Sequence, residues 1–243
     1  MRLAKDIYLV GSGFSGLYLT DELDCNCYLI NFDGTKILFD SGVGIHPELI
    51  EQEVLADGFS MEEISSVCLT HCHADHAGGA GYFNNRYGLK VIAPKEEALY
   101  LAKADEAFLG LKAAKKAGYY PDTYTLNPCP ADRQVSAGEV LIINRSTLFL
   151  YAAKGHSIGG ICYYGCINGN KFLITGDLIS AEGTISLQLI PGADVQAYAK
   201  SVKQMQALKV DFLLPGHGRF LLQQGSRAVK KTALSFDHLI IPV

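Results

Sequence analysis

From position 70 to 76 the chain reads Thr-His-Cys-His-Ala-Asp-His, so three imidazoles and one carboxylate fall within six residues, at His71, His73, Asp75 and His76. Buried polar groups are costly unless they are partnered, so a cluster of this kind implies a cation to serve. His71 and His73 lie two apart, and in extended backbone their rings project to one side. Asp75 and His76 follow where Ala77-Gly78-Gly79 marks a turn into a helix. Donors leaving a strand end in two directions suit a pair of adjacent metal ions better than one. Imidazole nitrogens with a hard carboxylate oxygen favour zinc, with iron and manganese as the alternatives.

Short apolar runs must deliver these donors. Residues 66–69 read as the strand that presents the histidines, and 79–87 as the helix that follows. Upstream, 7–10 read as a strand. Residues 27–32 and 36–39 flank Asp33-Gly34, a hairpin signal. Residues 47–56 have helical spacing with Pro47 in the first turn. Strands are expected at 90–93, 139–144, 147–152, 160–166, 171–175 and 212–214. Helices are expected at 193–208 and 224–238, and 95–120 is helical in composition. The order is β-rich with a few helices, twice over. Two similar halves, each a sheet covered outside by helices, give an α/β (α+β) fold of four-layer αββα sandwich type. We read one domain over 1–243, with a helical insertion at about 95–130.

Three more candidate donors sit in small-residue loops at strand ends: His156 in Lys-Gly-His-Ser-Ile-Gly-Gly, Asp177 in Ile-Thr-Gly-Asp, and His217 in Leu-Pro-Gly-His-Gly. Glycine beside a donor lets the backbone turn sharply towards a shared point. Four strand ends, each followed by a donor, imply one catalytic edge.

These residues, in this order, resemble the metallo-β-lactamase superfamily. Its H-x-H-x-D-H pattern matches His71, His73, Asp75 and His76. Its later histidine, bridging aspartate and final histidine match His156, Asp177 and His217. Its early Asp-x-Gly strand end matches Asp40-Ser41-Gly42. The match runs from about 27 to 218. By resemblance, one metal takes His71, His73 and His156, the second takes Asp75, His76 and His217, and Asp177 bridges them. Asp40 would hold ligand geometry by hydrogen bonds. Two Zn2+ per chain are implied, and a shared water with its pKa lowered towards neutrality would attack the substrate. Asp75 would also shuttle a proton to the leaving group.

Aspartate at 177, where class B β-lactamases commonly have cysteine, turns the expectation from antibiotic hydrolysis towards the glyoxalase II-like thioesterases and the lactonases. With one helix and a tail after His217, a full glutathione-binding domain is not expected. The expected reaction is hydrolysis of an ester, lactone or thioester of a small molecule. The alternatives are a mononuclear iron persulfide dioxygenase using His71, His156 and Asp177, a phosphodiesterase, and a non-catalytic binding protein. The last is disfavoured because all seven ligand positions are filled.

Other features read more plainly. His46 and His238 fit no ligand slot. Gly11-Ser12-Gly13-Phe14-Ser15-Gly16 matches G-x-G-x-x-G, but a strand follows instead of the required helix. We read it as a hairpin loop without a cofactor. Cys72, alternating with two ligands, should point away from the metals. Phe108, Leu109, Tyr119 and Tyr120 either line a pocket or pack helices. With 19% charged residues and a net charge of −4, no basic face for nucleic acid is expected. No apolar run reaches the roughly 20 residues of a membrane span, and the first residues are too polar for a secretory signal. Seven cysteines with irregular spacing argue against a disulfide framework, which fits the cytoplasm. A homodimer is a further expectation.

Overall fold

Continuous apolar runs in the first half become strands buried on both faces. The computed structural model describes residues 1–243, which pack as two compact units, Met1–Val135 and Ser136–Val243. The first holds a seven-stranded sheet whose spatial order follows the sequence: β1 (Arg2–Ala4), β2 (Ile7–Gly11), β3 (Cys27–Phe32), β4 (Thr35–Phe39), β5 (Ile64–Cys68), β6 (Lys90–Pro94) and β7 (Arg133–Val135). Strands β1 to β4 pair antiparallel and β4 to β7 parallel. Between β3 and β4, Asp33 and Gly34 both have positive φ (51° and 98°), the two-residue turn whose twist suits a hairpin.

Parallel neighbours require crossovers of a dozen or more residues. Here α1 (Pro47–Ala56) links β4 to β5, and α2 (Ala74–Ala77) and α3 (Ala80–Tyr87) link β5 to β6. The stretch expected to be helical over 95–120 is two helices, α4 (Lys95–Lys103) and α5 (Leu111–Lys116), and it forms the crossover from β6 to β7. Ala104 ends α4 in the left-handed region at φ 49°. The short strands β1 and β7 escape sequence reading because each has three residues, mostly unburied. The core of this unit is built from Leu29, Leu38, Val67, Phe83, Val91 and Leu101, all fully buried.

The second unit holds a five-stranded sheet of order β12-β11-β10-β9-β8. Its strands are β8 (Val140–Ile143), β9 (Ser146–Ala152), β10 (Ile161–Ile167), β11 (Asn170–Gly176) and β12 (Phe212–Pro215). Only the β11–β12 pair is parallel. That crossover carries α6 (Val195–Met205), started by Asp194, whose side chain accepts the N–H groups of Gln196 and Ala197. Helix α7 (Ser226–Asp237) follows β12 and packs against α6. Tyr198, Val202 and Met205 of α6 meet Leu173, Leu213 and Val229 in this core.

All seven cysteines are free thiols, six of them buried and Cys166 exposed. No helix is long and apolar enough to cross a membrane.

Candidate metal centre

In the first unit the donors follow the ends of two paired strands. Strand β5 ends at Cys68 and β4 at Phe39, which are register partners, so Asp40 emerges beside the segment leading to His71. Asp40 has a positive φ of 59° and is almost fully buried. Its Oδ1 accepts the Thr70 N–H at 2.7 Å, and its Oδ2 accepts the Thr70 hydroxyl at 2.8 Å and meets His76 Nδ1 at 2.9 Å. The Ser41 amide and hydroxyl both donate to the His76 carbonyl, at 2.7 and 2.8 Å, which ties α2 to the end of β4. This approach depends on glycine, since a Cβ on Gly78 would lie 2.0 Å from the Val43 carbonyl oxygen.

These contacts fix tautomers, which follow from the network. A carboxylate only accepts, so His76 carries its proton on Nδ1 and turns the Nε2 lone pair away from Asp40. The Thr70 hydroxyl spends its one hydrogen on Asp40, so at His71 Nδ1, 3.1 Å away, it accepts. His71 therefore also presents an Nε2 lone pair. That nitrogen stands 3.1 Å from His73 Nδ1, and the His71 and His76 rings lie 4.1 Å apart by centroids. Asp75 Oδ2 lies 3.5 Å from His76 Nε2. His71, His73, Asp75, His76 and Asp40 are thus one cluster. Cys25 lies with Asp40 and His76, but burial, more than any neighbour, pushes its thiol far above the ordinary range. A protonated thiol is a poor metal donor.

In the second unit, His156 follows β9, Asp177 follows β11 and His217 follows β12. His156 Nδ1 lies 2.7 Å from the Ser186 carbonyl oxygen. A carbonyl cannot donate, so Nδ1 carries the hydrogen and Nε2 the lone pair. That lone pair faces Asp177 Oδ2 at 3.4 Å, and His217 Nε2 stands at the same 3.4 Å from the same oxygen. The Tyr198 hydroxyl donates to the Ser186 carbonyl at 2.6 Å and lies 3.3 Å from the Asp177 carbonyl. Burial is the main reason its phenol is held well above the usual range. Gly155 has φ +119°, and a Cβ there would meet the Tyr198 backbone nitrogen at 2.5 Å, so α6 sits hard against the His156 loop.

A lone pair aimed at a carboxylate is unfavourable unless a cation lies between. The 3.4 Å spacings exceed ordinary N–H···O distances of about 2.7–3.2 Å. They equal the separation of roughly 3.4 Å between two donors each about 2.0–2.1 Å from one tetrahedral zinc. The residues present therefore fit a divalent ion in spacing, tautomer and chemistry.

Sequence reading missed Thr70, Glu97, Ser186 and Tyr198. Thr70 could have been found, since it precedes His71 directly. Ser186 acts through its carbonyl, which carries no residue-type signal. Tyr124 was missed too. Its hydroxyl donates to the Val43 carbonyl at 2.8 Å, and its phenol is pushed up mainly by burial and then by the charge of Asp75. Among the other aromatic candidates, Leu109 is buried in the core, Phe108 stacks on Tyr100, Tyr120 stacks on Tyr124, and Tyr119 is exposed. His46 is an exposed residue at the start of α1 and His238 an exposed residue at the end of α7. Gly11 ends β2 and residues 12–16 lie in the loop from β2 to β3, held by Ser12 Oγ, which donates to Asn26 Oδ1 at 2.7 Å and accepts the Leu17 N–H at 2.7 Å. Cys72 faces away from the imidazoles, into the core beside Glu97.

The metallo-beta-lactamase superfamily model matches residues 20–217, and the chain belongs to that family. Among curated relatives, an atrochrysone carboxyl ACP thioesterase from Aspergillus fumigatus is 26% identical over 196 residues, 79% of this chain and 50% of the relative. An acyl-coenzyme A thioesterase from Gallus gallus is 26% identical over 208 residues, 79% of this chain and 72% of the relative. The chain thus spans about half the length of the Aspergillus relative. Among solved structures, a metallo-beta-lactamase family protein from Thermus thermophilus superimposes with a TM-score of 0.75 at 19% identity, covering 98% of this chain and 81% of that one. A subclass B3 metallo-beta-lactamase of Bradyrhizobium japonicum gives 0.73 at 21%, covering 98% and 91%. These likenesses establish the fold, an α/β sandwich.

Proposed function

We propose that the chain is a metal-dependent hydrolase that holds two divalent ions, zinc by preference, and cleaves an ester, thioester or lactone of a small molecule. The observation that carries this reading is the lone pair of His156 Nε2 aimed at Asp177 Oδ2, with His217 Nε2 at an equal distance on the same oxygen. His71, His73 and His156 would hold one ion and Asp75, His76 and His217 the other, with Asp177 shared. When bound, the ions would supply a hydroxide at neutral pH and polarise the scissile carbonyl.

The chain's own residues do the rest. Asp40 holds His76, and through Thr70 it holds His71, each with Nε2 turned to donate. The Ser186 carbonyl does the same for His156. Asp75, 16% exposed at the side chain, would carry a proton to the leaving group. Both named thioesterases among the relatives support a thioester or ester over other acyl bonds.

The test is metal analysis of the purified chain, followed by a screen of ester, thioester, lactone and phosphodiester substrates. We expect about two zinc per chain, with acyl hydrolysis lost in His73→Ala while the fold is kept. One iron per chain with oxygen consumption on a persulfide, or full turnover by His73→Ala, would sink the reading.

A further inference from the structure

We infer that Glu97, on α4, is a positioning residue for the two imidazoles at His71 and His73. This inference rests on the metal-dependent reading above. The side chain is buried, at 1% exposure, and Oε2 accepts the N–H of Cys72 at 2.6 Å. Cys72 is the single residue between His71 and His73, so this hydrogen bond holds the first of the two peptide units that separate the two donors. The same carboxyl group lies against the Cys72 thiol, which is itself part of the buried core. Cys72 is thereby pinned on the core side through its amide and its side chain, and the flanking rings are turned the opposite way. Their nitrogens then meet at 3.1 Å.

Helix α4 has a fixed position from which to do this. It packs on β6 and β7, with Ala98 and Leu101 buried beside it, and the Cys129 amide donates to the Leu101 carbonyl at 3.1 Å. A glutamate at this depth needs partners, and one of them is a backbone amide in the donor loop. Its effect is therefore one of spacing. Hydrogen-bonded groups that orient metal ligands typically change metal affinity by about 10–100-fold when removed.

The experiment measures zinc binding to the full chain by competition with a chromophoric chelator, alongside the melting temperature of the metal-free protein. Glu97→Ala should weaken zinc by about tenfold or more, whereas Glu97→Gln, which keeps an acceptor oxygen in place, should bind within a few-fold of wild type. If Glu97→Ala lowers the melting temperature yet binds zinc like wild type, the residue is merely structural and the inference fails. If Glu97→Ala does not fold, Glu97→Asp carries the test. Drawing the oxygen back by one methylene should cost several-fold in zinc affinity, and unchanged affinity overturns the inference. A wild-type chain that takes up no zinc sinks the hydrolase reading instead, so the two failures are distinct.

Discussion

The two donor sets are built differently. In the first unit, four candidate donors come from one short segment, and one carboxylate, Asp40, reaches two of them, His76 directly and His71 through Thr70. In the second, three donors come from the ends of three strands, and the groups that set them are backbone carbonyls and a tyrosine on α6. The first set is almost sealed, with His76 fully buried. The second is partly open, with the His217 side chain 32% exposed. Clustering in sequence allows one buried carboxylate to fix several rings. Dispersion leaves each donor to its own strand, and the carboxylate of Asp177 faces the other two.

That contrast can be broken first at its centre. Replacing Asp177 by Ala removes the oxygen that faces two imidazoles, and we expect loss of at least one zinc per chain and of nearly all hydrolysis. Retention of two zinc by metal analysis would show that the second set is organised some other way. Asp40→Ala should act next most strongly, because it releases both His76 and the Thr70–His71 pair. About 10–100-fold weaker zinc binding is expected, read by chelator competition, and an unchanged affinity would remove Asp40 as organiser.

A smaller effect separates the units by pH. Burial raises the Asp24 carboxyl to about 6, opposed first by its hydrogen bond to Thr20 and then by the Val43 amide. The folded chain then keeps a proton that the unfolded chain has released at its ordinary value of 3.8. The stability Asp24 contributes is fully present below that value and is lost as pH rises through about 6. At roughly 1.4 kcal/mol per tenfold change in proton affinity, the loss is at most about 3 kcal/mol. Asp24→Asn keeps an acceptor for Val43 and should flatten this dependence. Urea unfolding of the metal-free variant at pH 4 and pH 7.5 checks it, and an undiminished slope would place the effect elsewhere.

The same contrast explains what could be read from the chain. His71, His73, Asp75 and His76 announce themselves by crowding, and the β3–β4 hairpin by Asp33-Gly34. His156, Asp177 and His217 are legible only as an ordered set, since each alone is an ordinary loop residue. Strands of five or more buried residues were found from their apolar runs, while β1 and β7 were not, because pairing with a neighbour decides them and not their own composition. Likewise, 95–120 has the composition of one helix, but Ala104 adopts a left-handed backbone that composition does not report. Glu97, Ser186 and Tyr198 act through backbone amides and carbonyls of distant residues, contacts that no local spacing encodes.

The distribution of sulfur has a practical consequence. Burial pushes Cys68 up to about 12 and Cys129 to about 11, and holds the other four interior thiols above their ordinary range, so these six offer an electrophile neither access nor thiolate. Cys166, exposed on β10, is the one thiol within reach of alkylating agents. Under native conditions iodoacetamide should therefore add a single mass increment to the chain, giving a ready-made attachment point for a fluorophore without engineering.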